Sequence, residues 1–135
     1  MKSLKAVFRH TDFKEDSPVT GLPEDMIALF RRIDWPSAFN EHEERATFPE
    51  LIVSSLANGD ALYIQYLGSG DLFQCTTYIT IPKPIFGLDI WLFRDHWESE
   101  EVEFRAAAVV DALAAFGRKD AAHLRQLWTA AKAHV

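Results

Sequence analysis

Residues 94–103, RDHWESEEVE, hold five carboxylates in ten positions, with His96 and Trp97 among them. Three kinds of chemistry could use such a stretch. The first is metal binding, since His96 lies beside Asp95 and Glu98, and a second histidine, His42, sits in EHEER. Ligands that share a helix face need a spacing of three or four residues. Asp95 and His96 are adjacent and diverge, and His42 has no second histidine four residues away, so no metal is assigned. The second is an ordinary helix start. Asp95 followed three residues later by Glu98 resembles a capping box, and carboxylates in a first turn gain from the helix dipole. A cap uses one or two acids, however, and five close together repel one another. The excess points to the third use, a surface that receives a basic partner.

Nucleophilic catalysis has little support. Cys75 stands inside LFQCTTY, with no helix N-terminus or neighbouring cation to stabilise a thiolate, and reads as a small buried apolar residue. The chain has no G-x-S-x-G elbow. GSGD at 68–71 lacks the lysine of a phosphate loop and lies between two strand-like runs, so it is a turn. Many carboxylates could be paired on paper for glycoside chemistry, which makes any one choice meaningless.

Among the aromatics, Trp97 stands between acids where no apolar period demands it. A tryptophan ringed by carboxylates suits an interface hot spot facing lysines and arginines. The competing use is an apolar contact that ties this segment to the body of the protein. Trp91 alternates with Ile90 and Leu92 and is expected to be half buried. Tyr63 and Tyr66 fall on opposite faces of their strand, so one of them faces solvent or a partner.

The elements that must position these residues follow from periodicity. SLKAVFRH alternates Leu4, Ala6 and Phe8 against Lys5, Val7 and Arg9, a first strand. TDFKEDSPVTG reads as a loop. LPEDMIALFRRI reads as a helix. Pro23 suits its first position, Glu24 and Asp25 its first turn, and Arg31 and Arg32 its last, while Leu22, Met26, Leu29, Phe30 and Ile33 make one apolar face. SAFNEHEERATF is a loop or a brief helix. Residues 49–57 are expected to form a short helix, from Pro49 and Glu50 at its start, Leu51, Ile52, Ser55 and Leu56 on one face, and Asn58-Gly59 as its cap. The alternative is a hairpin turned at Asn58-Gly59. ALYIQYL and LFQCTTYITI flank GSGD as a β-hairpin, and LDIWLF is a further strand. Val102, Ala106, Val109, Leu113 and Phe116 then step at helical spacing to Gly117. Leu124, Leu127, Trp128, Ala131 and Val135 make a second helix, expected to pair with the first as an αα-hairpin.

The expected fold is therefore α+β over residues 1–135 as one domain: an antiparallel sheet of about four strands, helices packed on one side, and a C-terminal αα-hairpin. The 135 residues suffice for a core without staples, and the single cysteine allows no internal disulfide. Neither a signal peptide nor a 20-residue apolar run is visible, so a cytoplasmic location is expected.

Charge is unevenly placed. Residues 39–103 carry twelve acids against Arg45, Lys83 and Arg94, a net of −9, whereas residues 104–135 carry two acids and five bases. Nucleic-acid binding needs the opposite sign. The expected function is a non-catalytic acidic binding protein that resembles small immunity proteins and antitoxins in size and charge alone. It would occlude the basic active site of a toxin such as a nuclease, without a cofactor. The expected contact residues are Glu41, Glu43, Glu44, Asp71, Asp95, Trp97, Glu98, Glu100 and Glu101. The alternatives are a small enzyme or ligand-binding domain that uses His42 or His96 with nearby carboxylates, and a subunit that self-associates.

Overall fold

Alternation along the strands decides which residues meet in the core. The computed structural model describes residues 4–85 and 88–133, with the side chains of 82–85 and 88–95 outside that description. In chain order the elements are β1 (Leu4–Arg9), β2 (Val19–Gly21), α1 (Pro23–Arg32), α2 (Trp35–Phe39), β3 (Glu50–Ser55), β4 (Ala61–Tyr66) and β5 (Leu72–Ile85). β6 (Leu88–Glu98), β7 (Val102–Arg105), α3 (Ala106–Gly117) and α4 (Ala121–Ala133) complete them. The chain is α+β, with an open antiparallel sheet in the order β2-β1-β3-β4-β5-β6 and β7 also paired to β5. The sheet has seven strands, not about four.

Residues Phe8, Leu51, Ile64, Cys75 and Val102 form one row across this sheet. The next row of the same parity is Ala6, Val53, Leu62 and Thr77. These side chains face Met26 and Phe30 of α1, Val109, Leu113 and Phe116 of α3, and Leu124 and Trp128 of α4 in one apolar cluster. α1 forms as its spacing predicts, with Asp25 accepting a hydrogen bond from the Leu22 N–H at 2.8 Å.

Two expected helical segments are strands. Residues 49–57 contain β3, in which Leu51 and Val53 point inward and Ile52 outward. Inward alternation at these two positions outweighed the helix-like Pro49-Glu50 start. Asn58-Gly59 turns the β3–β4 hairpin, where Gly59 takes φ +76° and the Ser55 N–H donates to the Asp60 carbonyl at 2.8 Å.

The second correction falls on the acidic stretch. Asp95 does not cap a helix. Residues through Glu98 continue β6, Val102 to Arg105 form β7, and α3 starts only at Ala106. β6 and β7 are two lengths of one edge along β5, separated by a bulge. Between the pairs Tyr78–Glu98 and Cys75–Val102, three residues oppose two. Ser99 holds the bulge, donating its N–H to the Thr77 carbonyl at 2.9 Å and accepting the Thr77 N–H on Oγ at 2.8 Å. The expected loop at 11–21 also contains β2 and a bridge between Arg9 and Glu15. No helix among the described residues is long and apolar enough to cross a membrane.

Candidate functional site

Beyond β1 the chain reverses in a tight turn. The His10 N–H donates to the Lys14 carbonyl at 2.8 Å, and the Phe13 N–H donates to the His10 carbonyl at 3.0 Å. This closure puts Phe13 in the left-handed region at φ 70°, where glycine or asparagine is usual. The residue stays 57% exposed. A bulky residue there costs about 1–2 kcal/mol of backbone energy, so a large apolar side chain in such a place is a pointer to use.

The loop at 40–49 packs on this turn. Thr11 is fully buried, and its carbonyl accepts the Ala46 N–H at 2.9 Å and the Thr47 N–H at 3.1 Å. Its own hydroxyl has no partner. His10 joins the two segments through its ring, with Nε2 2.7 Å from Asp16 Oδ1 and Nδ1 2.8 Å from Glu41 Oε2. Burial lowers the His10 pKa, but the hydrogen bonds and charges of Asp16 and Glu41 outweigh it and hold the group above its ordinary value. His42 Nε2 lies 3.4 Å from Asp12 Oδ2. The Asp12 carboxyl is held below its usual range by the Lys14 backbone N–H it accepts, with help from His42. On the flank, Arg9 reaches Glu15 at 3.0 Å and Glu50 at 3.4 Å. Burial raises the Glu50 pKa against the pull of Arg9.

The turn and the loop thus gather Asp12, Glu15, Asp16 and Glu41 around Arg9, His10, Lys14 and His42, with Phe13 exposed on the turn and Glu43, Glu44 and Arg45 exposed on the loop. Except for the half-buried Asp12, these carboxylate residues are exposed. Arg45 lies over the Phe39 ring at 4.0 Å, and Phe39 stacks on the partly exposed Phe48.

The other expected contact residues lie elsewhere. Glu98, Glu100 and Glu101 are on the β6–β7 edge, four strand spacings or about 19 Å from β1. There Lys132 pairs with Glu100 at 3.0 Å, the Gln74 amide donates to Glu101 at 2.6 Å, and Trp128 Nε1 donates to the Glu100 carbonyl at 3.0 Å. Asp71 serves the start of α3, pairing with Arg105 at 2.8 Å and accepting the Ala106 N–H at 3.4 Å. The Arg105 hydrogen bond holds its carboxyl below the usual range. The described acids of the middle of the chain are thus spread over the loop beside β1, the β6–β7 edge and the start of α3, with Asp60 buried against Thr80.

Trp97 lines a surface pocket together with Glu98, Glu100, Arg125 and Lys132. It pairs with Ile79 on the helix-covered face, half buried, with its ring 5.9 Å from that of Trp128 and the Arg125 guanidinium 5.7 Å above it. Its neighbour Glu98 points to the opposite face. The side chains of Trp91 and Asp95 lie outside the described residues. Tyr66 is buried and Tyr63 exposed, as their alternation requires.

The two histidines weighed for a metal site lie far apart across the sheet. His42 is in the loop beside β1, while His96 on β6 stacks on Tyr78. Among the described residues no group of three or more His, Cys, Asp or Glu is placed to hold a metal. Cys75 is buried, and burial pushes its thiol pKa well up, which leaves it a poor nucleophile.

Sequence reasoning missed His10 and Phe13. HTDFKED places a histidine six residues before Asp16, a spacing that a tight turn brings together. Nothing local announces the contact with Glu41, thirty-one residues away. No family model matches the chain, and no curated protein or solved structure matches it at a significant level.

Proposed function

We propose that this chain is a non-catalytic acidic binding protein of the immunity or antitoxin kind, acting in the cytoplasm. Its surface at residues 10–16 and 41–44 would occlude the basic active site of a toxin such as a nuclease. The observation that carries this reading is Phe13, an exposed aromatic residue held in a left-handed backbone on a turn that also carries Asp12, Glu15 and Asp16. It takes the role first sought in Trp97.

The physics of such a surface has two parts. Clustered carboxylates steer a cationic partner and raise its association rate by about 10–1,000-fold at low salt. The ring then fills a pocket on the partner while the acids meet its lysines and arginines, and a well-packed aromatic anchor contributes about 2 kcal/mol or more. The partner's catalytic bases would be covered, and no reaction is required of this chain. His10 supports the surface by joining the turn to the loop and is not itself offered to the partner.

We also propose that α3 and α4 pair as an antiparallel αα-hairpin. The link at 118–120 is short, Lys119 turns the chain at φ 59°, and His123 of α4 reaches Asp111 of α3 at 3.0 Å.

The test is co-expression with basic nuclease toxin domains, followed by stopped-flow association of the purified pair. Growth should be rescued, and the association rate should fall at least about tenfold between low and high salt. Failure to rescue, or a rate indifferent to salt, would remove the proposal.

A further inference from the structure

The junction of α1 with α2 and the turn between β4 and β5 enclose a pocket separate from the acidic surface at Phe13. Phe30 and Arg31 are consecutive at the end of α1, so a rotation of about 100° sends one side chain into the core and the next outward. Trp35 opens α2. Tyr66 and Phe73 are paired across the β4–β5 hairpin, on either side of the GSGD turn. All four rings are buried, and the centroid of each lies 5.1–6.0 Å from those of at least two others. Their polar atoms are engaged at home. Trp35 Nε1 donates to the Phe30 carbonyl at 3.2 Å, and the Tyr66 hydroxyl donates to the Gly70 carbonyl at 3.0 Å. What the rings offer outward is therefore apolar and fixed in place.

These four rings line a cavity of about 340 Å³, a size that suits a small molecule. The charged residues around it are Arg31, Asp34 and Asp71. Both acids are engaged. Asp34 accepts the Ser37 N–H at 3.3 Å and the Ser37 hydroxyl at 2.8 Å, and Asp71 pairs with Arg105 at 2.8 Å. Arg31 has no hydrogen bond or ion pair among the described residues. The cavity also reaches Ala106, where α3 presents its positive end with no acid in the first turn. The free guanidinium and this helix end both favour an anion, while the flanking Asp34 and Asp71 disfavour a doubly charged one such as phosphate.

We propose that this pocket binds a small aromatic carboxylate, with its ring on the floor made by Phe30, Trp35, Tyr66 and Phe73 and its head on Arg31. A guanidinium can hold a carboxylate through two parallel hydrogen bonds, which fixes the direction of the ligand as well as its charge. The rings are already packed against one another, so little ordering cost accompanies binding. No covalent step takes place there.

The test follows amide and indole NMR shifts of the labelled full chain as phenylacetate, naphthylacetate or benzylamine is added. Phenylacetate should bind with a dissociation constant of about 1 mM, as a fragment of about ten heavy atoms does. Shifts should gather at Arg31, Gly70, Asp71, Ala106 and the Trp35 indole N–H. Naphthylacetate should bind about tenfold more tightly, because the cavity has room for a second ring. Benzylamine, with the same ring and the opposite charge, should bind at least about tenfold more weakly than phenylacetate. Arg31→Gln, at an exposed position, should weaken phenylacetate by about tenfold with an unchanged urea midpoint, and Arg31→Lys should recover part of the loss. Phenylacetate that shows no saturation by about 20 mM, or shifts that gather elsewhere, overturns the proposal. Benzylamine binding as tightly as phenylacetate, or Arg31→Gln binding phenylacetate normally, overturns the assigned ligand class.

Discussion

Phe13 offers a way to separate folding from use. Its backbone sits at φ 70°, which costs a non-glycine residue about 1–2 kcal/mol, while the residue is 57% exposed. Complete burial of a phenylalanine contributes about 1.5–3 kcal/mol, so the buried remainder of this ring contributes about 1 kcal/mol. Phe13→Ala loses that contact and keeps the strain, and should destabilise by about 1 kcal/mol. Phe13→Asn loses the same contact but enters the left-handed region at little cost, and should stay within about 0.5 kcal/mol of wild type. The difference of about 1 kcal/mol corresponds to about 3–5 °C in Tm for a domain of this size. Urea unfolding of the three proteins, with slopes compared to confirm an unchanged denatured state, reads it directly. Both variants should lose partner affinity alike, by about thirtyfold, because both lack the ring. An alanine variant as stable as the asparagine variant would show that the turn is not strained. An asparagine variant with full affinity would show that the ring is not an anchor.

Two further predictions concern the surroundings of that surface. Gly68 adopts φ +85°, and a Cβ there would lie 2.4 Å from the Phe39 ring, so Gly68→Ala should cost about 2–3 kcal/mol by chemical denaturation and displace the ring on which Arg45 lies. The pKa of His10 is raised above the ordinary value of 6.5. Its contribution to stability is fully present below the unfolded pKa and is lost as pH rises through the folded pKa. Ring-proton NMR should place the His10 midpoint above 6.5, and amide exchange at 46–47 should quicken once the pH exceeds that midpoint. A midpoint at or below 6.5 would refute the bridge.

How much of this was legible in the sequence varied with the element. α1 was readable because its apolar spacing, Pro23, the acids of its first turn and the arginines of its last all agree. The segment at 94–105 was not, since acids before an alanine-rich run look the same whether they start a helix or line an edge strand. Val102-Glu103-Phe104-Arg105 held the deciding signal, an alternation that β7 obeys residue by residue. In β3, Leu51 and Val53 on one face competed with an equally good helical face through Leu51, Ile52 and Ser55. A strand of three residues such as β2 is below what periodicity can show. The candidate surface was half visible. Its acids were in view, but their grouping depends on hydrogen bonds from the Ala46 and Thr47 N–H groups to the Thr11 carbonyl, and on His10 reaching Glu41. The setting of Trp97 was not legible because its neighbours in sequence are acids, whereas a strand sends alternate residues to opposite faces and puts Trp97, half buried, on the helix-covered one.

The most direct measurement follows backbone amide shifts of the labelled protein while the basic toxic domain is added at low salt. Perturbations gathered at residues 10–16 and 40–48, with Phe13 ring signals broadened, are the predicted outcome. Perturbations confined to 98–103, or none anywhere, would contradict the assignment of this surface as the place where the partner binds.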